Sequence, residues 1–133
     1  METISKSTLS AELQELYLQN KEWMSQVLFL EDESRFFQKL FGQKLFLIGK
    51  NHTTKQINLI CGNLEALHQR TSKLKALVNA HQHLLESILK DAELHVNLNL
   101  IEEHASITSE IKQLLYTDRL LKSELFLMVE DVT

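Results

Sequence analysis

The chain has 133 residues, 44% of them hydrophobic, which is enough to bury one continuous core and too apolar for a disordered tail. Its net charge is −4, and the basic residues are scattered along the chain rather than stacked on one face, so it lacks the positive patch that nucleic-acid binding needs. The lone Cys61 cannot form an internal disulfide, and no apolar run approaches the roughly 20 residues that span a bilayer.

There is no proline, and the three glycines are Gly42, Gly49 and Gly62. Little in the chain interrupts a helix. From Leu9 a seam advances by four and three residues through Leu13, Leu16, Asn20, Trp23, Val27, Leu30, Ser34, Phe37 and Phe41, the spacing of helices that pack along a narrow line of contact. Gly42 follows its last member, where a helix end favours a left-handed residue. The pattern predicts a first helix over 9–41, with Glu12 and Glu15 near its positive end. Residues 42–52 are expected to fold back over the bundle end, with 44–49 available as a short fourth segment.

Thr53 and Gln56 have capping-box spacing and open the second helix. Its seam is Ile57, Ile60, Leu64, Leu67, Thr71, Leu74, Val78, His81, Leu85, Ile88, Ala92 and His95, giving a helix over 53–96. Continuing beyond His95 would place only polar residues on the seam, so a turn is expected around Asn99. The third seam is Leu100, His104, Ile107, Ile111, Leu114, Asp118, Leu121, Leu125, Met128 and Val132, giving a helix over 99–131. The fold class is therefore all-α: one domain, 1–133, forming an elongated antiparallel bundle of three long helices.

A turn near Asn99 pairs residues whose numbers sum to about 199. His81 then meets Asp118 and His95 meets His104, with Asn20 at a similar level to the first pair. Two readings of the Asn20, His81 and Asp118 layer follow: a polar layer that sets helix register, as buried Asn does in coiled coils, or a site for proton transfer or ligand binding. No nucleophile has a matching position, since Ser34 and Cys61 fall well away along the bundle. No catalytic or cofactor-binding residue is assigned.

For metals, His95 and His104 with Glu93, Glu102 and Glu103 gather near the expected turn, but the spacing matches no recurrent site. Glu65 and His68 form a single Glu-x-x-His, whereas di-iron bundles need a second copy and facing glutamates. His68-Gln69-Arg70-Thr71 is only faintly similar to the phospho-acceptor segment of sensor kinases; the proline of that segment and an ATP-binding domain are missing.

Beside its seam, helix one carries Tyr17, Leu18, Met24, Leu28, Phe29, Phe36 and Leu40, an apolar arc wider than one seam consumes. Leu18, Met24, Phe29, Phe36 and Leu40 are the residues expected to face a partner, either a second copy or another helical protein. Within Trp23 to Phe41, the pairs Glu22-Trp23, Phe29-Leu30 and Phe36-Phe37, with Glu33 and Leu40, resemble small bacterial helical proteins built on a Trp, Phe-Leu and Glu pattern. That resemblance implies an all-helical fold and a bacterial source, and no activity. The lone cysteine and the want of an export signal lead to an expected cytoplasmic location. The expected function is a non-catalytic interaction or assembly module without membrane insertion. The alternative is a bundle that binds a small ligand or metal through its buried His, Asp and Asn groups.

Overall fold

A computed structural model describes residues 2–90 and 98–130, with residues 2–10 as backbone only. Three helices, α1 (Glu2–Asn51), α2 (Thr54–Lys90) and α3 (Leu98–Glu130), pack on one another pairwise. Tyr17 reaches Glu86 and Glu31 reaches Lys75, so α2 runs antiparallel to α1. Gln19 meets His104, Glu33 meets Lys122 and Phe37 meets Phe126, so α3 returns parallel to α1. No helix among the described residues is long and apolar enough to cross a membrane.

The first helix does not end at Gly42. It continues to Asn51, and residues 44–49 extend it rather than form a folded-back segment. The heptad spacing explains the difference: Ile48 lies seven residues past Phe41 and is fully buried beside Ile60, Leu64 and Met128. A mid-helix glycine costs only about 1 kcal/mol relative to alanine, less than the roughly 1.5–3 kcal/mol gained by burying an isoleucine. No glycine among the described residues adopts a positive φ. The reversal comes instead at His52 and Thr53. There the Gln56 amide donates to Thr53 Oγ1 at 3.2 Å, and the Thr53 amide donates to Gln56 Oε1 at 3.0 Å. This reciprocal pair satisfies two donors at the start of α2.

The seams are buried as read, with Leu16 and Ile57 partly covered; Leu9, Ala92, His95 and Val132 lie outside the side chains described. One apolar cluster (Leu13, Leu85, Ile88, Leu100) closes the end where α2 gives way to α3. A central cluster is built on Trp23, Val27, Leu30, Leu74 and Leu114, and a third on Phe37, Phe41, Ile48 and Leu125. Buried polar residues interrupt this core at two levels.

The register of α2 against α3 differs from the expected one. His81 packs on His104, not Asp118, and Arg70 pairs with Glu110. Facing residues therefore sum to 180–185 rather than about 199, and Asn99 lies inside α3 rather than in a turn. The displacement at His81 is two heptads, which preserves every apolar seam position; 14 residues along α3 amount to about 21 Å.

Candidate functional site

The first polar level joins all three helices. His81, fully buried on the α2 seam, directs Nε2 to His104 Nδ1 at 3.2 Å, and His104 Nε2 donates to Gln19 Oε1 at 2.7 Å. With that proton committed to Gln19, the neutral His104 ring offers Nδ1 as an acceptor, so His81 Nε2 is the donor. The other His81 nitrogen, Nδ1, lies 3.5 Å from Glu103 Oε1. Trp23 closes one side, its ring centroid 4.3 Å from that of His104. Asn20 completes the level: its Nδ2 donates to the Val78 carbonyl at 3.2 Å, while Oδ1 has no hydrogen-bond partner among the described residues.

Burial in this apolar setting disfavours charge. It pushes His104 down to about 4, assisted by the neighbouring His81. His81 is also held below its ordinary value by burial, with Glu103 acting in the opposite direction. The pair is thus neutral at neutral pH, and His81 Nδ1 is an unprotonated nitrogen facing Glu103. A proton arriving there would be paired with a carboxylate and bonded onward through His104. Chemistry beyond proton storage needs a reacting group, and the expected nucleophiles stand far off. Ser34 is 14 residues from Asn20 and Cys61 is 20 residues from His81, about 21 and 30 Å along their helices.

Asp118, expected beside His81, belongs to the second level with Ser34 and Thr71. Lys75 donates to Glu31 on one side at 3.1 Å and Lys122 donates to Glu33 on the other at 3.0 Å. Asp118 is 4% exposed and shares a hydrogen bond with Glu33. Burial, that bond and the Glu33 charge raise its carboxyl from 3.8 to about 7, against the pull of Lys122. Glu33 experiences burial too, but the bond from Asp118 and the Lys122 ammonium hold it below its ordinary value. The two carboxyls thus share one proton, carried by Asp118 and donated to Glu33. Thr71 Oγ1 donates to the Leu67 carbonyl at 2.8 Å, while Ser34 Oγ and Asp118 Oδ1 have no partner among the described residues.

The expected layer of Asn20, His81 and Asp118 is therefore split. Asn20 and His81 come together, His104 replaces Asp118, and Glu33 is the partner that sequence reasoning missed. The apolar seam gives no signal for Glu33, which stands one position off it. Among the described residues, no group of three or more His, Cys, Asp or Glu is placed to hold a metal ion; His95 and Glu93 lie outside them. An open groove of about 330 Å³ runs past His104 and Gln19, bordered by Glu12, Glu15, Leu16 and Ile101.

The other feature is on the outside. Leu18, Phe29, Phe36 and Leu47 on α1 are 65%, 54%, 56% and 38% exposed. Their spacings of 11, 7 and 11 residues return to nearly the same angle on a helix. They form one stripe about 44 Å long, pointing away from the core seam. Met24 and Leu40, grouped with them on sequence, are half-buried and pack against the central and third core clusters.

Comparison with known protein families, curated proteins and solved structures finds no match to this chain.

Proposed function

We propose that this protein is a non-catalytic helical module that acts by binding another helix along the outer face of α1. The observation that supports this reading is the aligned stripe of Leu18, Phe29, Phe36 and Leu47. Single exposed apolar residues are ordinary, but a stripe at helical repeat spacing is the pattern by which amphipathic helices recognise one another. The two buried polar levels suit a scaffold as well, because each joins side chains of more than one helix. Phe29→Asp and Phe36→Asp test the reading. Each variant should keep its helical circular dichroism and its cooperative unfolding while losing association. Loss of fold in both variants would place these residues in the core and refute the interface.

A further inference from the structure

We infer that the partner of the α1 face is a second copy of this chain, packed antiparallel along the full stripe; this rests on the interface reading above. The first support is the placement of the apolar residues. Leu18 and Leu47 are symmetric about a point between Asp32 and Glu33, and Phe29 and Phe36 are symmetric about the same point. A two-fold axis there sets Leu18 on Leu47 and Phe29 on Phe36 of the second copy, twice each. Such self-complementarity is what a closed two-fold dimer requires.

The second support is charge. From Ala11 to Glu33, α1 carries Glu12, Glu15, Glu22, Glu31, Asp32 and Glu33 against Lys21 alone. From Ser34 to Asn51 it carries Arg35, Lys39, Lys44 and Lys50 and no acid. The helix dipole favours this order of signs, but its influence fades within the terminal turns, whereas the acidic half extends to mid-helix. Charges on α2 and α3 show no such division into an acidic and a basic half. Some of the α1 acids are used internally, Glu31 by Lys75 and Glu33 by Lys122. Glu12, Glu15 and Glu22 are exposed, as are Lys39 and Lys50. An antiparallel pair lays each acidic half on a basic half; a parallel pair lays like on like. The same axis brings Glu22 level with Lys44 of the second copy, on one side of the stripe.

Cysteine cross-linking decides the geometry. In a Cys61→Ser background, chains carrying Glu22→Cys are mixed with chains carrying Gln43→Cys under mild oxidation. The antiparallel pair joins 22 to 43 and leaves two copies of position 22 about 31 Å apart, so the mixture should link and neither variant alone should. Charge exchange gives an independent readout. Glu22→Lys and Lys44→Glu should each weaken association roughly tenfold, and the double variant should restore most of it. Linking of Glu22→Cys to itself, or failure of the charge exchange to restore binding, overturns the antiparallel arrangement. A wild-type chain that sediments as a monomer overturns the second copy as partner. In either case the interface reading falls only if Phe29→Asp and Phe36→Asp also unfold the monomer.

Discussion

Replacing Asp118 with asparagine, which removes the titrating carboxyl but keeps a donor to Glu33, should make the folded chain more stable at alkaline pH. The Asp118 carboxyl sits at about 7 in the folded chain against 3.8 ordinarily, so the folded state retains a proton that the unfolded chain releases. The stability from this group is fully present below pH 3.8 and is lost as the pH rises through 7. At about 1.36 kcal/mol per pH unit, the loss is on the order of 4 kcal/mol. The substituted asparagine does not titrate, and its amide still donates to Glu33. The stability of Asp118→Asn minus that of wild type should therefore climb by roughly 4 kcal/mol between about pH 4 and pH 8. His104 works in the opposite sense. Its value is lowered from 6.5 to about 4, so wild type loses on the order of 3 kcal/mol as the pH falls across that interval. The two effects nearly cancel in the wild type from about pH 4 to 6.5, and His104→Gln should uncover the falling limb that Asp118→Asn removes. Urea denaturation at one-unit steps from about pH 4 to pH 8 measures both differences. A flat difference curve for Asp118→Asn would refute the shared proton of Asp118 and Glu33.

Three further outcomes follow from the same geometry. A double-mutant cycle should give a coupling of about 0.5 kcal/mol or more for His81 with His104 and a value near zero for His81 with Asp118; the reverse would restore the expected pairing of His81 with Asp118. Asn20→Leu should leave stability unchanged or raise it by about 1 kcal/mol in urea denaturation, because Asn20 Oδ1 is buried without a partner among the described residues; a loss of several kcal/mol would contradict this. Zinc should not shift the melting temperature, whereas binding at a hundredfold excess over Kd would add about 2.7 kcal/mol. A zinc-dependent rise abolished by His104→Ala would support the ligand-binding alternative.

The parts of the fold legible in the sequence were those that depend on local spacing. A seam at three and four residues identifies each buried face whatever lies opposite, and Thr53 with Gln56 marks a helix start within four residues. Register was not legible, for a physical reason. Heptad seams repeat every seven residues, so a slip of two heptads brings apolar onto apolar again, and His81 finds a polar partner in either alignment. A contact off the seam, Arg70 with Glu110, distinguishes the two. Gly42 misled because its position suited a helix end, while the burial of Ile48 outweighed the conformational cost of glycine. The width of the apolar arc on α1 was legible, but its division was not: Met24 and Leu40 turn toward the core, and Leu47 joins the outer stripe once the helix continues to Asn51.

Sedimentation equilibrium of the wild-type chain from about 1 to 100 µM measures self-association through α1. The mass should rise toward twice 15.5 kDa and return to the monomer in Phe36→Asp with the melting transition intact. A wild-type mass of 15.5 kDa throughout, unchanged by Phe36→Asp, would contradict self-association through α1.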